Sequence, residues 1–463
     1  MPTSAIIKNK KELVSHGNKE LREIAIDIVE ESLQVVHSYN AIKRMVTLDS
    51  DNKIHIENSE FGPQSYEGGI YVIAAGKASL PMAAALDDIL GQTITKGVAV
   101  LKEGQEGSQK LKNIEVVSAG HPVPNEAGLR ASKVVLDIAI RASKNKNSLV
   151  FCLISGGATA MLPLPIEDVS FEDVAEVTRL LLDSGANVNE INSIRYHISS
   201  IGGGKLALRI HPAQVISIVI SDELDSNLWG PTIPDNTSFN DALMVLSRYD
   251  LRRKVPKSIL NYLTRGSSGD VPESPKDADF IRLGLRHYDF ILADNSTLCE
   301  ACLHAAEKRG FKSFILSTKL EGESRDAGMT LASIALEIQE RGRPLSAPCV
   351  LIAGGENTVK LFDTKRGRGG PSQEFALGVA KIIAEKNGIV AISLDTDGTD
   401  GVTEFAGAIV DGWTKKRADE AGPGIEMALQ LHDSSTLLSK LGDTIMTGVT
   451  GTNVMDLNVF LIS

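Results

Sequence analysis

Hydrophobic positions divide the chain by their period. Across the first 45 or so residues Leu21, Ile24, Ile28, Leu33 and Val36 recur on one face with acids opposite, which predicts helices. From Gly69 the pattern changes to short continuous apolar runs separated by amphipathic stretches. Strands are expected at 70–74, 97–101, 114–118, 149–154 and 215–220, with helices after Ser79 to about Leu90 and at 125–144, 170–184 and 190–197. The segment 253–277, with Pro256, Pro272, Pro275 and Gly266-Ser267-Ser268-Gly269, reads as a surface excursion. A second series follows: strands 290–293, 313–317, 349–353, 358–362 and 389–394, and helices 296–309, 325–342 and 372–387. Runs apolar on both faces, alternating with helices, imply an α/β fold with a mostly parallel sheet covered on both sides. Ligands of such sheets sit beyond the carboxyl ends of the strands.

Composition narrows this little. Hydrophobic residues make up 42% and charged residues 23%, which fits a folded globular chain, and 463 residues suffice for two or three domains. The formal charge of -11 argues against nucleic acid as a partner, because a phosphate backbone demands a cationic face. No apolar run approaches membrane-spanning length. The N-terminus lacks an apolar signal core, and Glu20, Glu23, Asp27, Glu30 and Glu31 spoil a transit peptide, so the expected compartment is the cytoplasm. Cys299-Glu300-Ala301-Cys302 is a lone C-x-x-C inside a helical pattern, which reads as packing.

Candidate chemistry gathers in glycine-rich segments. Lys365-Arg366-Gly367-Arg368-Gly369-Gly370 places three cations among three glycines just ahead of a helix expected from Ser372. Open backbone, guanidinium forks and helix amides all favour an anion. Gly76-Lys77, Ser155-Gly156-Gly157 and Gly354-Gly355 are read as further turns at strand ends. Lys77 at a helix start is unfavourable for the helix dipole, which favours a functional reading. Arg195 and Arg325 are lesser cationic candidates, and His121 in Gly120-His121-Pro122 reads as a loop hydrogen-bonder. The carboxylates are Asp222 at the end of strand 215–220, Glu356 after Gly354-Gly355, and Asp395-Thr396-Asp397-Gly398-Thr399-Asp400-Gly401. Magnesium needs such hard oxygens, usually one or two carboxylates plus substrate oxygens. A P-loop is excluded: Tyr71 and Ser199 stand where its first glycine would precede Gly76 or Gly204. An EF-hand is excluded because the twelfth position from Asp395 is Ala406. Gly202-x-Gly204-x-x-Ala207 follows helix-like sequence, so it fails as a dinucleotide fingerprint. Cations for phosphates, acids for magnesium and a strand-end acid for a hydroxyl describe phosphoryl transfer on a non-Walker fold.

The ordered motifs resemble those of the glycerate 2-kinase family that carries the MOFRL domain, a family sometimes labelled hydroxypyruvate reductase. They run from Ala75-Gly76-Lys77-Ala78 through Gly120-His121-Pro122-Val123-Pro124-Asn125-Glu126-Ala127-Gly128, Leu153–Gly157, Glu190-Ile191-Asn192, Gly203–Ala207 and Gly230-Pro231-Thr232. They continue with Glu321–Asp326, Ala353–Glu356, Gly367–Gly370 with Gln373–Leu377, Thr396–Gly401 and Thr447 to Asp456. The resemblance implies two α/β domains, a Rossmann-like one over 1–240 and a second over 241–463 that includes a MOFRL region at 349–458. Helices in 1–45 are free to pack on the other domain, and the active site is implied in the cleft between the domains. It implies ATP-dependent phosphorylation of D-glycerate at its 2-hydroxyl, with Mg2+. By position, Lys77, Asp222 and Arg368 are the expected catalytic residues. Ser155, Gly156, Gly157, Arg195, Arg325, Gly369 and Gly370 are expected at substrate or phosphate, and Asp397, Asp400 and Glu356 at metal. The segment from Glu223 to Trp229 looks shorter than the family pattern, which leaves a related hydroxy acid open as acceptor; a homo-oligomer is compatible with the sequence, which fixes no oligomeric state.

Overall fold

The computed structural model describes residues 5–57, 66–105, 110–224, 228–361 and 367–463. Lys365 and Arg366 of the basic segment, and Asp225 to Asn227, therefore lie outside the described residues. By contacts the chain forms two units. One comprises Ala41–Ser221 and Leu228–Leu292; the other comprises Met1–Asn40, Asp222–Asn227 and Ala293–Ser463. The expected division after residue 240 thus differs from the contact grouping, in which 241–292 stays with the first unit and the N-terminal helices join the second.

In the first unit, β1 (Val46–Leu48) and β2 (Ile54–Ile56) form a small antiparallel ladder. The main sheet uses β3 (Ile70–Ala75), β4 (Ile94–Lys102), β5 (Ile114–Ala119), β6 (Leu149–Ile154), β7 (Gln214–Ile220) and β8 (His287–Ala293). Among the described residues its order is β5-β4-β3-β6-β7-β8. The ladders β5–β4, β4–β3, β3–β6 and β6–β7 are all parallel. Strands β3, β6 and β7 are buried along their full length, as expected of a sheet covered on both faces. The strand order reverses between β3 and β6, so their carboxyl ends form the switch point of a doubly wound sheet. The proline-rich segment expected as an excursion instead carries the helix Lys257–Ser267, whose Ile259 and Leu263 are fully buried in a helical core with Phe239 and Leu246. Its prolines flank that helix, where they do no harm to the helix interior.

The second unit holds β9 (Lys312–Glu323), β10 (Cys349–Thr358), β11 (Ile389–Asp395), β12 (Gly407–Asp411), β13 (Thr444–Ile445) and β14 (Asp456–Ile462), in the order β13-β12-β11-β14-β10-β9. Among the described residues of this sheet only β9 and β10 pair in parallel; β14 lies antiparallel to both β10 and β11. Alternate residues face two layers. Cys349, Leu351, Ala391, Phe460 and Ile462 pack under the helices Ser324–Arg341 and Pro371–Ile382. The opposite face meets Lys19–Val36 and Asn295–Glu307. The expectation of two strands at 349–353 and 358–362 is corrected: β10 runs straight through Gly354-Gly355. There glycine serves packing, because a Cβ at Gly354 would lie 1.7 Å from Asn295 Oδ1. Cys299 and Cys302 are buried on the Asn295 helix, and burial pushes both thiols up to about 12, as packing thiols should be.

The N-terminal helix is locked to this unit by charge. Arg22 is fully buried; its Nε donates to Asp411 (2.6 Å), and its Nη1 to Asp443 (2.7 Å) and the Leu13 carbonyl (3.1 Å). Arg22→Ala leaves two buried carboxylates short of their cation. It is expected to cost about 3–5 kcal/mol, read as a fall in the denaturant midpoint. A shift no larger than that of a surface arginine would contradict this.

Candidate active site

The carboxyl edge of the parallel sheet is shaped by glycine. Gly76, directly after β3, has φ 120° and sits so close to Ser155 that a Cβ would lie 2.3 Å from its carbonyl oxygen. The two turns are then stitched together. Lys77 N donates to the Gly156 carbonyl (2.9 Å), and Ala78 N to Ser155 Oγ (3.0 Å). Gly157, φ 86°, lies against His121, whose Cδ2 would be 2.7 Å from an added Cβ. The helix Ser79–Leu90 starts at this point, so the positive end of its dipole adds to the edge. Lys77, Ser155, Gly156 and Gly157 are therefore brought together at the switch point of their sheet.

His121 follows β5 by two residues. Its loop is fastened by Asn125, whose Oδ1 accepts from Gly120 N (2.9 Å) and Gly128 N (3.0 Å), capping the helix Glu126–Ser143. Arg195, on the helix Val188–Ile198, donates from Nη2 to the Pro122 carbonyl (3.2 Å), while its Nε is buried without a partner. Burial draws the Arg195 guanidinium down to about 10. Burial, with Lys77, Lys102 and Arg195 nearby, pushes the His121 imidazole down to about 4. It is neutral at pH 7 and protonates more readily when unfolded. The stability tied to that neutral ring is whole above about pH 6.5 and is lost as the pH falls through that value toward 4. Wild type should accordingly lose stability relative to His121→Gln when both are melted at successively lower pH from 7 to about 5. Parallel curves would contradict it.

Other motif residues of this unit are structural. Glu190 closes a capping box with Asn187 and pairs with Arg248 and Tyr249. Lys205, drawn down to about 8 by burial, donates to the Tyr196 (2.7 Å) and Ser199 (2.7 Å) carbonyls at the end of the Val188–Ile198 helix. Gly202-x-Gly204 lies between that helix and Lys205–Ile210, with no strand before it. Trp229 packs on the core of the parallel sheet.

The second unit collects acids at one sheet edge. Asp395, the last residue of β11, is the cross-strand neighbour of Asp456, which also pairs with Gly355 one residue before Glu356. Asp456 accepts from Asn357 N (3.1 Å) and, at 3.4 Å, from Ser372 Oγ. Asp397 is half-buried, its Oδ1 accepting from Thr399 N (2.9 Å) and Oγ1 (2.7 Å); Glu356 is exposed. Burial first, then Asp397 and its other neighbours, raises the Asp395 carboxyl well above its ordinary value. Asp456 is raised likewise by burial, with Asp400 and Glu356 adding to it. Such crowded carboxylates suit a cation. Among the described residues no three acid, histidine or cysteine side chains form a ready-made metal cage, so substrate oxygens would have to complete the shell.

Asp400, expected at the metal, spends its oxygens otherwise. They accept from Ser372 N (3.0 Å), Gln373 N (2.9 Å) and Gln373 Nε2 (2.9 Å), fixing the start of the helix Pro371–Ile382. Burial raises it to about 6 against those bonds. Gly370 makes this possible, since a Cβ there would lie 2.3 Å from Asp400 Cγ. The preceding loop is held by a partner sequence reasoning missed: Gly367 N donates to Leu431 O (2.7 Å), Arg368 N to Asp433 Oδ1 (2.9 Å), and Ser435 N to Arg368 O (2.9 Å). Gly369 sits against Ser434. The Arg368 guanidinium is largely exposed and ion-paired with Glu404. Arg325, at the start of the Ser324 helix, is near Glu323 (3.8 Å) and Asp326 (3.9 Å). Asp222, two residues past β7, groups with this unit and accepts from Asn453 Nδ2 (3.3 Å).

Fold and site thus define an α/β protein with a glycine-shaped switch point bearing Lys77 in one unit and an acidic sheet edge in the other. The family described as Domain of unknown function (DUF4147) matches residues 24–264, and the MOFRL family matches 349–456. A protein named glycerate 2-kinase from Pyrococcus horikoshii is 42% identical over 447 residues, covering 96% of this chain and 98% of that one. A D-glycerate 2-kinase from Thermotoga maritima is 35% identical, covering 96% and 99%. Among solved structures, a Thermotoga maritima glycerate kinase superposes with a TM-score of 0.82 at 34% identity, over 96% of this chain and 100% of that one. A Pyrococcus horikoshii OT3 protein superposes with a TM-score of 0.81 at 42% identity, over 96% and 98%. The chain belongs to the glycerate 2-kinase family.

Proposed function

We propose that this protein transfers the γ-phosphoryl group of ATP to the 2-hydroxyl of D-glycerate, giving 2-phosphoglycerate. The observation that carries the reading is the meeting of Lys77 with Ser155-Gly156-Gly157 at the switch point, in a chain whose near-full-length relatives are named glycerate 2-kinases. In this reading Lys77 and Arg368 neutralise charge on the transferring phosphoryl group, where electrostatic stabilisation contributes most. The Ser155–Gly157 turn, Arg195, Arg325, Gly369 and Gly370 hold the anionic parts of the two substrates. Asp222 accepts the proton of the substrate hydroxyl, with Asn453 orienting its carboxylate. When bound, magnesium would screen the charge of the phosphates; Asp397 and Glu356 are the side chains assigned to it. Asp400 keeps the start of the helix, and with it the Arg368 loop, in place.

Against a reductase reading, which some relatives' names suggest, Gly202-x-Gly204 does not follow a strand and so lacks the setting of a dinucleotide site. Incubation with MgATP and D-glycerate tests the proposal, with NADH and hydroxypyruvate as the control. Formation of ADP and phosphoglycerate without NADH consumption is expected. NADH oxidation without phosphoglycerate would overturn it. Transfer to another small hydroxy acid, with D-glycerate inert, would overturn the named acceptor.

A further inference from the structure

Lys102 has been given no role so far, yet it stands in the cationic edge of the parallel sheet. It is the last residue of β4, next to β3, whose end leads to Lys77. Its cross-strand neighbour on the other side is Ala119, two residues before His121. His121 in turn lies against Gly157, and its loop neighbour Pro122 receives the Arg195 guanidinium. The ends of β3 and β4 and the helix Val188–Ile198 therefore bring Lys77, Lys102 and Arg195 around one imidazole, which the end of β5 carries. Those three cations are the charges that act on that ring, and with burial they keep it uncharged. The nearest acid in sequence, Glu103, is taken up by the Asn125 amide.

Three positive charges exceed what a hydroxy acid needs. A single carboxylate carries one negative charge; once the hydroxyl is phosphorylated, the ester adds roughly two more at neutral pH. A tri-cationic edge therefore matches the phosphorylated acid better than the acceptor. Neutral His121 can offer a ring N–H to an oxygen without adding charge.

We propose that Lys102 is a binding residue for the phosphoryl group after transfer, so that Lys77, Lys102 and Arg195 together hold the phosphorylated hydroxy acid more tightly than the acceptor. This rests on the kinase reading for the identity of the acid, and on the sheet-edge geometry for the cations. Its consequence is product inhibition set by Lys102, with phosphoglycerate competing against the acceptor.

The test is calorimetric titration of 2-phosphoglycerate into the full-length protein without nucleotide, alongside KM for D-glycerate, for wild type, Lys102→Met and Lys102→Arg. Lys102→Met should weaken 2-phosphoglycerate binding about tenfold or more, the scale of one charge-assisted contact, and change KM less than about threefold. Lys102→Arg should recover most of the affinity. Added salt should weaken wild-type binding more steeply than binding to Lys102→Met. Unchanged 2-phosphoglycerate affinity in Lys102→Met overturns the proposal, as does an equal loss for product and acceptor. If Lys102→Met fails to fold, as judged by circular dichroism, Lys102→Gln replaces it under the same criteria. Absence of phosphoglycerate formation by wild type would sink the kinase reading, whereas the binding titration decides the role of Lys102 by itself.

Discussion

Asp222→Asn is expected to lower turnover by about 100- to 10,000-fold while leaving the KM for ATP within a few-fold of wild type. Asparagine keeps the size of the side chain, but it cannot take a proton from the substrate hydroxyl. Asp222 lies two residues past the end of β7, and its Oδ2 accepts from Asn453. Asn453 sits in the loop bound to the Thr396 turn through Thr450 Oγ1 and Val454 N, so the carboxylate is held by a fixed frame. A steady-state comparison of kcat across pH decides the point. The acidic limb of the wild-type profile should vanish in the variant. Activity of Asp222→Asn close to wild type would remove Asp222 from the chemistry.

Lys77→Met carries the second large effect, a loss of about 100- to 1,000-fold in kcat/KM. The lysine stands at the switch point with its backbone fixed by the Gly156 carbonyl, so the root of its side chain is set before any ligand arrives. Lys77→Arg should recover only part of the rate, because a planar fork cannot take the place of a compact ammonium in a turn packed this closely. Full activity in Lys77→Met would contradict the role. Loss of activity together with a matching loss of thermal stability would point to a structural part instead.

The fold was legible where burial leaves a simple mark. Strands β3, β6 and β7 are apolar on both faces and read directly as central parallel strands. Hydrophobicity carries no direction, so nothing marked β14 as an antiparallel insert between β10 and β11. Glycine was ambiguous for a physical reason. At Gly76 and Gly157 positive φ and close approach shape a turn at the carboxyl edge of the sheet, whereas at Gly354 the same residue lets a helix touch a strand. Lys77 stood out because a cation at a helix start opposes the dipole, and it does lie just past β3, before the helix Ser79–Leu90. Asp400 was not: an acid that caps a helix from a distant loop looks in sequence like one free to bind metal. Asp433, which holds the Arg368 loop, lies 65 residues away and leaves no local trace. His121 and Lys102 gain meaning only when the ends of β5, β4, β3 and β6 are ranged in that order along one sheet edge.

The most direct check is the phosphorus spectrum of the product made from MgATP and D-glycerate. A phosphate on C2 couples to one proton and gives a doublet; a phosphate on C3 couples to two and gives a triplet. The proposed chemistry predicts a new phosphoester resonance that is a doublet, growing as ADP appears. A triplet, or ATP left unchanged beside unreacted D-glycerate, would contradict it.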